Sequence, residues 1–368
     1  MPPAQRHPTM ADVAQRAGVS VSTVSRTLRG LSTVSPDARR RVEEAARELS
    51  FVISRQASGL VTGKTGAVAV LVPTLKSWFV GAALSGLGEV LLGTGLDLLV
   101  YSVSDLAERA AFFDRLPARR NADALLVVSF DLTEQESARL DDLGIPIVYV
   151  SQQAPGRASV YVDDVAGARA GVRHLVNLGH RRIAYVHAAR GPSGFSFSSQ
   201  RRFLGYREAL AEAGIGLDEQ LVVDVLASGR RGAEEAVGGL LGLREPPTAI
   251  FAEIDQVAIE VMGVLRSAGL DVPGRVSVLG FDDHEMAEWM QLSTIAQPAE
   301  DIGRAAGELA RSLIDDPDAD PARHRVLPTR LIPRASTAPL RTPHPRPAPD
   351  AGSTAERSTA EGSTRTAG

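Results

Sequence analysis

The 368-residue chain is 44% hydrophobic, has no cysteine and carries a formal net charge of −4. That length predicts two or three structural units with sizeable cores, and the missing cysteine excludes disulfides, thiolate metal sites and cysteine nucleophiles. No charge-free apolar run reaches the ~18 residues of a membrane span, and the segment from Met1 to His7 has no apolar signal core, so a cytoplasmic chain with no membrane partner is expected.

The charge is uneven. Residues 1–63 hold nine arginines against five acids, a balance of +4 that leaves −8 on the remaining chain. A basic head on an acidic body suits a local polyanion contact. Three short helices are predicted in this head. Thr9 and Asp12 have capping-box spacing ahead of a helix that runs to about Ala17, with Val13, Ala14 and Ala17 facing inward. Gly18 and Val19 make a tight turn, Ser20 caps a second helix reaching about Leu28, and Gly30 stops it. Ser35, Pro36 and Asp37 open a third helix with an N-cap hydroxyl, a proline at the first position and an acid at the positive end; it continues through Val42, Ala45, Ala46 and Leu49. Two short helices around a glycine turn form a helix-turn-helix, whose second helix enters the DNA major groove. On that helix Val24 and Leu28 are expected inward and Val21, Ser22 and Arg26 outward. Arg26 can donate two bonds to guanine, Ser22 can bond a base or a phosphate, and Val21 can make only apolar contact.

Residues 9–28, TMADVAQRAGVSVSTVSRTL, resemble the head signature of the lactose-repressor (LacI/GalR) family, unbroken over twenty positions. The resemblance implies a pseudo-palindromic double-stranded DNA operator as partner. It implies that Val21, Ser22 and Arg26 read bases, that Thr23 and Ser25 hold phosphates, and that Thr9 and Ser20 belong to the same DNA-binding set. Residues 50–65 then correspond to the family hinge, a short helix that folds on operator DNA, with Leu60 as the apolar wedge in the minor groove. Ile53, Ser54 and Ser58 stand where Pro, Asn and Arg are common. Gly59 weakens a helix by about 1 kcal/mol relative to Ala, so the hinge helix is expected to form poorly without DNA.

From Gly66 onward apolar runs alternate with helical stretches. Strands are predicted at 67–72, 96–101, 124–128, 147–150, 183–187, 222–225, 249–252 and 276–280, and helices at 81–92, 106–116, 165–178, 201–213, 233–241 and 257–268. Buried strands each followed by a helix imply parallel sheets covered on both faces. Periodicity leaves a barrel and two doubly wound lobes both open. The family resemblance, extended over 160–164, 178–184, Arg202, Gly205, Tyr206, 280–283 and 294–298, implies the second: an all-α helix-turn-helix head on an α/β core of two Rossmann-like lobes, similar to periplasmic binding proteins. The expected division is head 1–49, hinge 50–65, first lobe 66–163 with 297–323, second lobe 164–296 with 324–335, and a disordered tail 336–368 rich in Pro, Ser, Thr, Ala and Gly. With no heptad in the tail, a homodimer is expected.

Open α/β sheets bind ligands at the carboxyl ends of their strands. Pro73, Trp78, Phe79 and Ser129 on the first lobe, and Arg202, Asp255 and Asp282 on the second, are expected to line the cleft. An Arg beside an Asp can grip vicinal hydroxyls, and Trp78 or Phe79 can face a sugar ring. Ile254 stands in place of a common ligand-binding Asn, and Ser151 where some sugar-binding relatives have Asp; both changes remove polar grip. The expected protein is a sequence-specific transcriptional regulator, a repressor, whose operator affinity is set by a small-molecule effector, a sugar or derivative, with no cofactor, no metal and no catalysis. Two other classes compete: an enzyme fused to a DNA-binding head, and an exported solute-binding protein. Asp282 and Asp283 are adjacent acids that rarely face one point, His180 and His187 lack metal-ligand spacing, and no nucleophile-elbow motif is present.

Overall fold

The computed structural model describes residues 8–28, 33–51, 64–189, 196–226, 229–316, 318–320 and 322–340. Leu60 and most of the hinge, the 190–195 segment and the tail from 341 lie outside these residues.

The head holds α1 (Met10–Ala17), α2 (Val21–Leu28) and α3 (Pro36–Glu48). Thr9 and Asp12 form the expected reciprocal capping box, and Gly18 closes α1 in the left-handed region at φ 65°. Ser35 caps α3 by accepting from the Ala38 amide, with Pro36 in the first turn. Val13, Ala14, Ala17, Val24, Val42 and Ala45 make the small core. Arg41 donates to the Ala17 carbonyl at 3.1 Å, and Arg16 pairs with Glu48, so polar contacts pin α3 to α1 around that core.

Two six-stranded sheets follow. The first lobe contains β1 (Ala67–Val72), β2 (Asp97–Ser102), β3 (Ala124–Val128), β4 (Ile147–Val150), β5 (Ala158–Val162) and β11 (His324–Leu327), in the order β11-β5-β4-β3-β1-β2. The second contains β6 (Ile183–His187), β7 (Val222–Asp224), β8 (Ala249–Ala252), β9 (Ser277–Asp282), β10 (Ser293–Ala296) and β12 (Arg330–Ile332), in the order β12-β10-β9-β8-β6-β7. All pairings are parallel except β10 with β12. Every residue of β1 is buried, because helices cover both faces: Val68, Val70 and Val72 join one core cluster, Ala69 and Leu71 the other. The first lobe's helices are α4 (Trp78–Leu91), α5 (Leu106–Arg115), α6 (Ala118–Asn121), α7 (Glu134–Asp141) and α13 (Ala299–Asp315); the second's are α8 (Asp164–Asn177), α9 (Phe197–Glu212), α10 (Arg230–Leu241), α11 (Asp255–Ser267) and α12 (Glu285–Trp289). None of the described helices is long and apolar enough to cross a membrane.

The chain passes between lobes after β5, after β10, and between β11 and β12. Two expected boundaries change. Residues 324–327, expected in the second lobe, pair with β5 of the first, Val326 opposite Tyr161. That strand is mostly exposed and has no apolar run to announce it. Residues 336–340, expected in the disordered tail, strap the second lobe. Buried Ser336 donates to the Val278 carbonyl and accepts from the Ser293 amide, and the Leu340 amide reaches the Leu178 carbonyl at 2.8 Å.

Each lobe has one very close helix pair. A Cβ on Gly303 of α13 would overlap the Ala83 carbonyl of α4, and one on Gly86 would overlap the Glu300 carbonyl; Gly205 of α9 is pressed likewise against the Val165 carbonyl of α8. The obstacle is main chain in each case, so it has no rotamer by which to yield. Gly303→Ala is expected to destabilise the protein by about 1–3 kcal/mol or more, read by urea unfolding. Gly88→Ala on the same helix as Gly86, where a Cβ meets nothing within 4 Å, should be neutral or stabilising by up to about 1 kcal/mol. Equal effects of the two changes would contradict the close crossing.

Candidate functional site

The head presents one outward face. On α2, Val24 and Thr27 are buried, while Val21 (47% exposed), Ser22 and Arg26 are exposed. Helical spacing places Ser22 and Arg26, four residues apart, on the same side. Two members of the expected DNA-binding set already have local work. The Ser20 hydroxyl sits 3.2 Å from the Thr23 amide, 2.8 Å from the Ser22 hydroxyl and 2.9 Å from that of Thr23, which makes it the cap of α2. Thr9 is occupied with Asp12. Thr23 and Ser25 are half-buried at the edge of the face.

The second candidate is a cleft of about 290 Å³ between the lobes. It lies where the strands of both sheets end, as open parallel sheets require. Pro73 follows β1, Ser129 and Phe130 follow β3, Ser151 follows β4, Glu253 and Ile254 follow β8, and Asp282 ends β9. Ser129, Ser151 and Asp282 adopt positive φ, at 52°, 62° and 128°. Strained backbone of this kind gathers where a side chain must be aimed against its local preference.

Arg202 organises the second-lobe wall. It is 4% exposed. Its Nε donates to Asp164 Oδ1 at 2.8 Å, and its Nη1 donates to the Glu253 carbonyl at 3.0 Å and to Asp282 Oδ1 at 3.5 Å. The guanidinium carbon lies 3.7 Å from the centre of the Phe281 ring. Burial works against the Arg202 charge, but the Asp164 and Asp282 carboxylates more than restore it, so its pKa rises. Burial raises Asp164 against the opposing pull of Arg202. It likewise pushes Asp282 up to about 7, with Arg202 opposing and Asp255 adding. Glu253 Oε2 accepts from His187 Nδ1 at 3.0 Å, the Ser199 hydroxyl at 2.8 Å and the Ala188 amide at 3.2 Å.

The lobes touch on either side of the cleft. The Ser198 hydroxyl donates to the Ser151 carbonyl at 2.9 Å and lies 3.2 Å from the Ser151 hydroxyl. Trp78 Nε1 donates to Glu285 Oε1 at 3.3 Å, and its ring centre lies 5.2 Å from that of His284.

Of the residues expected in the cleft, Pro73, Trp78, Phe79, Ser129, Ser151, Arg202, Ile254 and Asp282 line it. Asp255 does not: it is fully buried, accepting from the Thr294 hydroxyl at 2.6 Å and the His284 amide at 2.8 Å, and it fills the space a side chain at Gly280 would need. Its role is to brace the loop after β9. Asp283 turns away from Asp282 to pair with Arg334 at 2.7 Å, so the adjacent acids diverge. Sequence reasoning missed Glu253, Gln297, Ser198 and Ser199. Glu253 carried a signal, an acid at the end of the apolar run 249–252; Ser198 and Ser199 fall in the first turn of α9, ahead of the helix start expected at 201.

Comparison with known proteins agrees with both regions. The bacterial regulatory protein, lacI family, model matches residues 9–54, and the periplasmic binding protein-like domain matches residues 172–337. The HTH-type transcriptional regulator DegA of Bacillus subtilis (strain 168) is 32% identical over 346 residues, covering 91% of this chain and 99% of the relative. A lac repressor dimer bound to operator and the anti-inducer ONPF has a TM-score of 0.78 at 25% identity, covering 90% of this chain and 100% of that one. The transcriptional regulator CelR–cellobiose complex has a TM-score of 0.65 at 30% identity, covering 89% and 99%. With a capped helix-turn-helix, two lobes joined by three crossings and similarity along nearly its whole length, the chain belongs to the lacI family of bacterial regulatory proteins.

Proposed function

We propose that the chain is a transcriptional repressor whose affinity for a pseudo-palindromic operator is set by a small sugar or sugar derivative bound between the lobes. The observation that carries this reading is the outward face of α2, with Val21, Ser22 and Arg26 exposed over a packed head core. In this reading a homodimer offers two such faces to two half-sites. Thr23 and Ser25 position the helix on phosphates, and Leu60 wedges into the minor groove. Thr9 and Ser20 act as caps that shape the reading surface. The relative whose structure holds cellobiose supports a ligand of sugar chemistry. Effector and operator then oppose one another by the same factor, since the coupling is reciprocal.

Arg26→Ala is expected to cost about 1–3 kcal/mol on specific sites and to flatten preference at one base per half-site. Binding to a randomised operator library measures this, and unchanged base preference removes Arg26 from the reading set.

Arg202 is better tested with Lys than with Ala, because Ala would leave two buried carboxylates unpaired. Lys keeps the charge and loses the planar fork. Arg202→Lys should keep operator affinity and lose most of the effector's effect, which in such systems is roughly 5–150-fold. Fluorescence anisotropy of labelled operator across titrations with cellobiose and its parent monosaccharide reads it; an undiminished response places the ligand elsewhere.

Asp282 is a charge held against its surroundings. Burial lifts it from 3.8 to about 7, so the ionised form is less favourable in the folded chain than in the unfolded one. That penalty is absent below about pH 4, grows through the interval between the two values, and is complete above about pH 7. Asp282→Asn should therefore melt higher than the parent at pH 8, on the order of 2–4 °C for each kcal/mol relieved, and equal it near pH 4. The same variant should respond less to effector. A parent that is the more stable at pH 8 contradicts the argument.

A further inference from the structure

The cleft offers more acceptors than the protein itself satisfies. Gln297, 5% exposed, lines it just after the second crossing. Its Nε2 donates to Asp282 Oδ1 at 2.6 Å, while its Oε1 has no hydrogen-bond partner. A buried acceptor in that state calls for a donor from outside the protein. Beside it stands an acid-rich wall: Asp164, Asp282 and Glu253 are all buried, with the buried guanidinium of Arg202 among them. Arg202 is committed to Asp164, Asp282 and the Glu253 carbonyl. Arg109, the other arginine of the described lining, is clamped by Glu136 at 2.5 and 2.6 Å and by the Asp131 carbonyl at 2.6 Å.

Ligand chemistry follows from this balance. A phosphate or carboxylate would meet Asp282 and Glu253 with both lining arginines already engaged, and like charges at a low-dielectric wall repel strongly. A neutral polyol could donate to Gln297 Oε1 but brings no charge to the acidic wall. A cation satisfies both demands. The apolar part of the wall, Trp78, Phe79 and Phe130, adds aromatic faces that also favour a cation. The upward displacement of Asp164 and Asp282 by burial is the kind of shift that a neighbouring positive charge reverses.

Resting on the reading that the effector binds in this cleft, we propose that the effector carries a protonated amine: an amino sugar, or an amine-bearing molecule of that size, whose ammonium donates to Asp282 and to Gln297 Oε1. Glu253 supplies the second negative charge of the same wall. Gln297 and Glu253 are then the residues that set the charge class of the ligand, while Arg202 holds the wall together. The small cleft volume, at the low end of the roughly 300–1,000 Å³ usual for ligand pockets, suits a compact ligand.

Isothermal titration of the full-length protein at pH 7 with matched sugars tests this. The probes are glucosamine, glucose and glucose 6-phosphate, and galactosamine, galactose and galactose 6-phosphate. At least one amine is expected to bind about tenfold or more tightly than its neutral parent, as a charge-assisted hydrogen bond is stronger than a neutral one, and the phosphates should give no binding. Glu253→Gln and Gln297→Met should each weaken the amine by about tenfold while changing the neutral parent much less, a difference that general misfolding does not produce. Circular dichroism and thermal melts accompany each variant. A neutral or phosphorylated member that binds more tightly than its amine, or the failure of every amine to bind, overturns the proposal. In the first outcome, release of operator by the neutral sugar together with its loss in Arg202→Lys leaves the cleft reading standing. Amine binding that is equal in Arg202→Lys and the parent overturns both.

Discussion

A guanidinium removed from water must find its charge balance inside the protein, and around Arg202 that requirement orders much of the core. Its partners come from distant parts of the chain: Asp164 opens α8 just beyond the first crossing, Glu253 follows β8, and Asp282 ends β9. Gln297, just beyond the second crossing, bonds Asp282 in turn. One buried network therefore spans two of the three crossings and two strand ends. Removing Arg202 from such a network strands buried carboxylates, at a cost of about 3–5 kcal/mol, so these segments hold their places together around it. The strained backbone at Asp282 persists because the network over-determines it.

In the proposed reading, the same network lets a ligand in the cleft act on the whole molecule. A ligand moves an equilibrium only through unequal affinity for its two states. The cleft is bounded by contacts that exist only while the lobes are close, Ser198 with Ser151 on one side and Trp78 with Glu285 on the other. A molecule that touches Ser129 or Phe79 of the first lobe and Arg202 or Asp282 of the second adds to those contacts and favours the close arrangement.

How much of this was legible depended on periodicity. β1, β3, β4, β6 and β8 coincide with the apolar runs read from sequence, and β2, β7 and β9 differ by one or two residues, because strands covered on both faces must be apolar throughout. The head was equally plain: caps and turn glycines act locally, and Thr9, Gly18 and Ser35 do what their types suggest. Four strands were not predicted: β11 is short and mostly exposed, β12 has only three residues, and β5 and β10, though mostly buried, are short runs in which serine and threonine interrupt the apolar residues. In the site, Arg202 and Asp282 were found through family likeness, yet the same likeness misplaced Asp255, whose acid is spent on Thr294 and the His284 amide. Burial decides such cases, and no spacing reveals it. Gln297 lay within a quoted family segment, but the orphaned state of its Oε1 depends on which way the amide faces in three dimensions.

The link from cleft to head depends on how the chain leaves the core. Thr65 and Gly66, the last described residues before β1, are bound to one carboxylate: Asp123 Oδ1 accepts from the Thr65 amide at 2.6 Å and from its hydroxyl at 3.0 Å, and Oδ2 accepts from the Gly66 amide at 2.8 Å. The Lys64 ammonium adds a contact to the Ile314 carbonyl at the end of α13. The start of β1 is thus fixed to the first lobe at the strand end opposite the cleft, where Pro73 follows the other end of the same strand. A junction held this firmly would pass a rotation of the first lobe on to the chain before it rather than absorb it. For a family that includes an operator-bound dimer, two such exits define a spacing, and half-sites on DNA accept only a narrow range of spacings. An Asp at 123 that grips the chain from both oxygens therefore stiffens the exit from the core, and in the proposed reading a stiff exit is what would let a change of lobe angle reach the DNA.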